Sequence, residues 1–357
     1  MSKIKYLRVV LIIVVSLMLA LTFTLAGCKK EAAPEKEEEE VAEEAAPVKE
    51  EEEEVAEEAA PEKKITIGYS LWTMEYTFFQ NLEKGVRDAC SDLGYEYVMI
   101  DQNSDPTKMV QDMNSLIGQG ITGMVSTPVD PGAIGPAVEA ARDAGIPVVC
   151  ADIGKSGPVN ALIISDNYHG GELAAEYLHE LLKDDPNNTW KFGLGNLQPQ
   201  WTYARERGEG FRDKAEELGY EIASEIIVET ASAEGGFDTM QQIISAAPDI
   251  VGAFFSSGRE AVGAANAVEA AGKDIMVVGY NGDPEELQAI KDGVLTATIL
   301  QQPYLIGYMS VEILKEIIEN GAEYEDAEVP APVKLITPDN LDEIAKELEE
   351  KRGQPAY

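Results

Sequence analysis

The chain has little of several residue types that mark other classes of protein. It contains three cysteines and two histidines in 357 residues, too few for a zinc cluster or a disulfide-rich scaffold. Basic residues are also scarce, with 28 Lys and Arg against 65 Asp and Glu and a formal net charge of -37. Because a protein of that sign is repelled by phosphate backbones, we exclude nucleic acid as a partner. We also expect no metal site.

The first 28 residues are typical of an export signal. Three basic residues precede an apolar run over positions 9–21, and the sequence LAGC at 25–28 resembles a bacterial lipobox. We therefore expect Cys28 to carry acyl chains that anchor the protein to a membrane outside the cytoplasm, in the periplasm or at the cell surface. The stretch 9–27 is just long enough to span a bilayer, so an uncleaved anchor is the alternative.

Residues 29–64 form a low-complexity segment in which EEEEVAEEAAP occurs twice, at 37–47 and 51–61. Such a segment has too little apolar surface to offset the loss of chain entropy on folding, and its like charges extend it. The composition predicts a disordered acidic linker.

From residue 65 onward, short apolar runs alternate with amphipathic stretches. Strands are predicted at 65–71, 95–101, 121–127, 146–152, 190–194, 220–228, 250–255 and 275–280, and the segments between them have helical periodicity. Near-continuous apolar strands separated by helices indicate parallel sheets covered on both faces. We predict an α/β protein with two doubly wound parallel-sheet domains in series.

In such sheets the ligand crevice lies outside the carboxyl ends of the strands. Aromatic and polar side chains follow these predicted strand ends, namely Trp72, Tyr76, Phe78, Phe79, Asp152, Trp201, Tyr203, Ser257 and Asn281. Aromatic faces stack on sugar rings while amides and carboxylates bind hydroxyls, so this set predicts a site for a small neutral sugar. One of Phe78 and Phe79 is expected to lie in the core instead.

Five motifs in the same order along the chain resemble a known family. They are TFFQNLEKG (77–85), ISDNYHGGELAAEYL (164–178), ARERGEGF (204–211), VVGYNGDPE (277–285) and GVLTATILQQPYLIG (293–307). Residues 65–338 resemble the type I periplasmic binding proteins of sugar ABC importers, most closely the ribose-binding branch.

The resemblance implies a set of ligand contacts. Phe78 and Phe79 match the stacking pair, with Tyr76 beside them, and the matching polar contacts are Asp152, Asn167, Arg205 and Gln301. Arg207, two residues after Arg205, is expected to point elsewhere on its helix and to be structural.

This chain departs from the pattern of the ribose-binding branch at several positions. Ile153 stands where an Arg is usual, Ser257-Gly258 replaces Asn-Asp, Asn281 replaces Asp, and Ala231 lies where an aromatic is common. These changes remove hydrogen-bond partners for hydroxyls. We expect the ligand to be a ribose-like pentose, or an apolar-substituted pentose derivative that is less polar than ribose.

The resemblance also implies two domains joined by three crossings, with the ligand in the cleft between them and closure by a hinge motion. The crossings are expected near 165–166, 301–302 and 329–330. The domains are then 65–165 plus 302–329 and 166–301 plus 330–338, followed by a surface helix and tail at 339–357. A monomer that delivers sugar to an ABC permease is implied; a sugar sensor for a chemoreceptor or kinase, and a nucleoside- or polyol-binding protein, are the alternatives.

An enzyme is not expected, and no cofactor is predicted. No strand is followed by a complete glycine-rich dinucleotide motif, and the cysteines and histidines form no recognisable nucleophile and base. Cys90 lies near the end of the first helix and Cys150 at the opposite edge of the sheet, too far apart for a disulfide. Both are predicted to be free and buried.

Overall fold

The computed structural model describes residues 64–198, 200–352 and 356, without the side chains of residues 351 and 352. The predicted signal peptide, Cys28 and nearly all of the predicted acidic linker lie outside the described residues. In the part that is described, none of the helices is long and apolar enough to span a membrane.

Twelve strands and ten helices make up the described fold. The strands are β1 (Thr66–Leu71), β2 (Glu96–Asp101), β3 (Gly123–Thr127), β4 (Val148–Ala151), β5 (Ala161–Ser165), β6 (Lys191–Asn196), β7 (Glu221–Ile227), β8 (Gly252–Phe255), β9 (Met276–Asn281), β10 (Ala297–Leu300), β11 (Ala327–Ala331) and β12 (Lys334–Ile336). The helices are α1 (Thr77–Leu93), α2 (Pro106–Gly118), α3 (Gly135–Asp143), α4 (Asn167–Leu182), α5 (Thr202–Glu217), α6 (Ala233–Ala246), α7 (Gly258–Ala270), α8 (Pro284–Lys291), α9 (Pro303–Asn320) and α10 (Leu341–Arg352).

The strands form two six-stranded sheets, with orders β11-β5-β4-β3-β1-β2 and β12-β10-β9-β8-β6-β7. The first sheet is parallel throughout, and in the second only the edge strand β12 runs antiparallel to its neighbour β10. Each sheet has an apolar cluster on both faces, as expected for doubly wound sheets. This confirms the predicted α/β fold with two parallel-sheet domains. We call the domain of the first sheet the first lobe and that of the second sheet the second lobe.

Three crossings connect the lobes. The chain leaves the first sheet after β5, returns between β10 and α9, and leaves again between β11 and β12. The third crossing therefore follows Ala331 rather than lying at 329–330, because β11 pairs in register with β5 as far as Ala331. Residue 330 and Ala331 belong to the first lobe, which corrects the predicted domain boundary.

The C-terminal helix α10 is amphipathic and lies on the second lobe. Leu341, Ile344, Ala345 and Leu348 are buried in the same apolar cluster as Leu287 of α8. Their spacing places them on one helical face. The predicted surface helix is therefore exposed on one side only and contributes to the core with the other.

Candidate functional site

An aromatic cluster lies at the carboxyl edge of the first sheet. Phe79 is 6% exposed and sits at its centre, with ring centroids 5.2 Å from Trp72, 5.4 Å from Phe78 and 6.1 Å from Tyr76. The Trp72 Nε1–H donates to Ser104 Oγ at 3.0 Å. The structure thus brings all four predicted aromatics together, with Phe79 as the member in the core.

Asp152 follows β4 directly and lies at the same edge. It adopts a left-handed backbone conformation (φ 72°), and its N–H donates to the Ile163 carbonyl at 2.7 Å. Burial raises the pKa of the carboxyl to about 6, although the nearby Arg207 guanidinium lowers it. Arg207 belongs to α5 of the second lobe, so a charge of one lobe acts on a carboxyl of the other.

Arg207 is the central cation of the second lobe. Its side chain is buried, with Nε donating to Asn167 Oδ1 at 2.9 Å, and one terminal nitrogen donating to the Ser256 carbonyl at 3.0 Å and to Asn281 Oδ1 at 3.3 Å. Its guanidinium carbon lies 3.8 Å from the centroid of the Tyr280 ring. Charge-assisted hydrogen bonds together with a cation–π contact fix this side chain in one orientation.

Close approach of α4 and α5 brings Asn167 and Arg207 together. A Cβ at Gly171 would lie 2.1 Å from the Arg207 carbonyl oxygen, and one at Gly210 would lie 2.0 Å from the Tyr168 carbonyl oxygen. Only glycine permits backbones to pack at this distance. The glycines of the ISDNYHGG and ARERGEGF motifs therefore position the polar site.

Arg205 does not join this cluster. Its side chain is 45% exposed and lies 3.6 Å from the carboxylate of Glu209, one turn along the helix. The expected roles of the two arginines are thus exchanged. The buried face of α5 carries Ala204, Arg207, Gly208, Phe211 and Ala215. This helical spacing, with small and apolar residues around Arg207, is readable in the sequence and is the signal that we missed.

A chain of amides connects the site to the crossings. Gln301 Nε2 donates to Asn281 Oδ1 at 2.9 Å, and Ser165 Oγ donates to Gln301 Oε1 at 3.0 Å. Ser165 ends β5 at the first crossing, and Gln301 lies at the second. The hydrogen bonds therefore link the hinge to Asn281 and, through it, to Arg207.

A buried carboxyl holds the loop that carries Asn281. Glu286 is 0% exposed, and it accepts hydrogen bonds from the N–H groups of Gly282 (2.9 Å) and Asp283 (3.0 Å) and from the Thr298 hydroxyl. Burial raises the pKa of Glu286 well above its ordinary value. Asp283 and Glu286 form a capping box at the start of α8, and this D-x-x-E spacing could have predicted the positioning role of Glu286.

The remaining predicted residues line the second-lobe edge. The rings of Trp201 and Tyr203 are stacked with centroids 6.3 Å apart, and Arg207 lies 5.0 Å from the Tyr203 ring. Ser257 is the N-cap residue of α7. One polar atom in this region, Asn167 Nδ2, is buried and has no partner among the described residues. A site of this kind offers a ligand both an aromatic surface and unpaired polar groups.

Two α/β lobes that face each other across aromatic and polar residues, joined by three crossings, define a two-lobed binding protein. The family model of the periplasmic binding protein domain matches residues 67–323. The chain belongs to this family.

Similar proteins include the ribose import binding protein of Bacillus subtilis, which is 34% identical over 281 residues that cover 77% of this chain and 88% of that protein. The ribose import binding protein of Escherichia coli is 32% identical over 275 residues, covering 76% and 90%. The structure of a periplasmic ribose ABC transporter protein from Conexibacter woesei has a TM-score of 0.74 at 23% identity, and covers 81% of this chain and 97% of its own. At 23% identity, this structural similarity shows a shared fold and not a shared ligand.

Proposed function

We propose that the protein is the extracytoplasmic substrate-binding component of an ABC importer for a small neutral carbohydrate. The observation that carries this proposal is the buried Arg207, held by Asn167 and Asn281 and facing Asp152 of the other lobe. Both groups make paired, charge-assisted hydrogen bonds to hydroxyls well. The similarity to ribose import binding proteins supports the same function.

In the proposed complex the sugar lies in the cleft between the lobes, and binding closes them about the three crossings. The aromatic contacts are Trp72, Tyr76, Phe78, Trp201 and Tyr203, supported from the core by Phe79, and the polar contacts are Asp152, Asn167, Arg207, Ser257, Asn281 and Gln301. Arg207 replaces Arg205 in this set because its side chain points into the polar cluster. The hydrogen bonds from Gln301 to Asn281 and from Ser165 to Gln301 couple the ligand site to the hinge.

The ligand is a pentose-like sugar less polar than ribose. Ile153, Ser257, Gly258 and Asn281 offer fewer charged partners than the ribose-binding branch, and Trp72, Trp201 and Tyr203 enlarge the apolar wall. A hydroxyl buried without a partner costs on the order of 1–3 kcal/mol.

Outside the described residues, we propose that Cys28 is lipidated and that residues 29–64 tether the folded body to the membrane. The body works as a monomer that delivers its ligand to the permease.

Thermal-shift screening followed by titration calorimetry tests the function. The panel contains ribose, allose, apiose, myo-inositol and apolar-substituted pentoses such as deoxy, thioether and nucleoside forms. A ligand at 100 times its Kd should stabilise the protein by about 2.7 kcal/mol. If nothing in the panel raises Tm, the function is refuted. If ribose or another fully hydroxylated sugar binds more tightly than every substituted analogue, the proposed polarity of the ligand is wrong.

A further inference from the structure

Glu260 is a buried carboxyl in the second lobe that the proposed contacts do not use. Glu260 is 2% exposed, and its Oε2 atom has no hydrogen-bond partner among the described residues. A buried carboxylate oxygen without a partner is costly in a folded protein, and such groups are usually paired. An unpaired oxygen at this position therefore calls for a functional explanation.

The position of Glu260 in the fold places it beside the cleft. It lies in the first turn of α7, which starts three residues after β8 at the carboxyl edge of the second sheet. Side chains on a helix lean toward its N-terminus, which here is the cleft edge. The Glu260 backbone packs on the start of α6, where a Cβ at Gly236 would lie 2.1 Å from the Glu260 carbonyl oxygen. Burial is the largest cause of the raised pKa of Tyr203, and the charge of Glu260 adds to it.

The charges around Glu260 do not neutralise it. The nearby cation on its own helix, Arg259, is exposed and lowers the pKa of Glu260 less than burial raises it. The Arg207 guanidinium is already bonded to Asn167, Ser256 and Asn281. Burial is the main cause of the raised pKa of Glu260, and the negative charge of Asp283 adds to it.

Helix capping does not account for the Glu260 carboxyl. Ser257 and Glu260 have the S-x-x-E spacing of a capping box, but the Ser257 side chain makes no capping hydrogen bond. The Oε2 atom is left without a donor.

We propose that Glu260 is a specificity-determining residue: Oε2 accepts a hydrogen bond from a hydroxyl or amino group of the ligand, and its charge rejects sugars that bear a carboxylate or a phosphate. The proposal rests on the proposed function and deepens it by restricting the ligand to neutral or amine-bearing carbohydrates. Glu260 thereby supplies a charged hydrogen-bond acceptor beside Ser257-Gly258, where this chain lacks the Asn-Asp pair of the ribose-binding branch.

The test compares Glu260→Gln with Glu269→Gln, an exposed glutamate on the same helix that undergoes the same chemical change. Calorimetry with D-ribose, D-ribonate and D-glucosamine at pH 7.5 measures discrimination. In the wild type and in Glu269→Gln, ribonate should bind at least tenfold more weakly than ribose. In Glu260→Gln, ribose should bind about five- to tenfold more weakly, and the preference for ribose over ribonate should fall at least tenfold.

Ligand-free melting separates this role from capping. Burial raises the pKa of Glu260, so the folded state favours the protonated carboxyl more than the unfolded state does. The free energy of unfolding therefore falls as the pH rises from the ordinary pKa of a glutamate through the raised pKa. Glu260→Gln should therefore have a higher Tm than the wild type at pH 8 and a weaker pH dependence between pH 5 and pH 8. Glu269→Gln should match the wild type in both.

Two results would overturn the inference. If ribose stabilises the wild type but Glu260→Gln keeps the same discrimination and melts lower, then Glu260 is only a helix cap, and the proposed function survives. If no sugar in the wider screening panel stabilises the wild type, the proposed function fails and the inference fails with it.

Discussion

Replacing Arg207 by alanine should weaken both folding and ligand binding. The substitution removes the donors to Asn167 Oδ1, the Ser256 carbonyl and Asn281 Oδ1. The Ser256 carbonyl then loses its side-chain donor, Asn167 Oδ1 keeps only the longer contact with the Tyr280 hydroxyl at 3.5 Å, and Asn281 Oδ1 keeps the hydrogen bond from Gln301. Removing one partner from a buried charged network costs about 3–5 kcal/mol, a large part of a typical stability of roughly 5–15 kcal/mol.

The effect of this change on binding follows from the loss of a buried, charge-assisted contact to the ligand. That loss costs about 2–5 kcal/mol, or roughly 30-fold to several thousandfold in Kd. Arg207→Lys keeps the charge but lacks the planar fork that spans Asn167 and Asn281, so it should fold better than the alanine variant and still bind more weakly than the wild type.

Arg205→Ala is the matched control, since it removes the same side chain from the same helix. Its ion pair with Glu209 is half-exposed, and such pairs contribute about 0.2–1 kcal/mol. Urea denaturation gives the free energies of unfolding, and calorimetry with the tightest sugar from the screen gives Kd. If Arg205→Ala loses more affinity than Arg207→Lys, the exchange of the two arginines is refuted.

Three further changes test other parts of the structure. Asp152→Asn should raise the free energy of unfolding of the ligand-free protein at pH 7.5 by up to about 3 kcal/mol. Burial raises the pKa of Asp152 to about 6, so the stability that its protonated form contributes is lost as the pH rises from 4 to 6. Equal pH–stability curves for variant and wild type would contradict this. Gly85→Ala should destabilise the first lobe by about 1–3 kcal/mol, because its Cβ would lie 2.0 Å from the Tyr304 carbonyl oxygen between α1 and α9. The control is Gly118→Ala, whose Cβ would have no atom within 4 Å and which should be neutral in the same urea titration. Cys90 and Cys150 are free and buried, as the sequence predicts, and burial raises the pKa of each thiol to about 12. Alkylation followed by mass spectrometry should label neither thiol in the native protein and both after denaturation without reductant. Labelling of the native thiols would show that the lobe opens readily.

The alternation of strands and helices was readable from the sequence because hydrophobic periodicity is a local property. Eight strands of the two sheets were predicted close to their positions, and the aromatic residues after β1 were correctly expected to gather at one edge. The free state of Cys90 and Cys150 followed from helix length and strand direction alone. Strands β5, β10, β11 and β12 were not predicted, and for β11 and β12 the sheet that each one joins is set by pairing with strands distant in the sequence.

Tertiary packing decided which polar residues meet. Arg205 and Arg207 are two residues apart and chemically identical. The small and apolar residues around Arg207 mark its face of α5 as the buried one, but its contact with Asn167 depends on the packing of α5 on α4 at Gly171 and Gly210. The burial of Glu260 and Glu286 likewise results from neighbouring elements that close over them, which no local pattern specifies. The sequence determined the elements and the edges where function gathers, whereas long-range packing, in which each contact joins distant segments, determined which charges are buried and what they face.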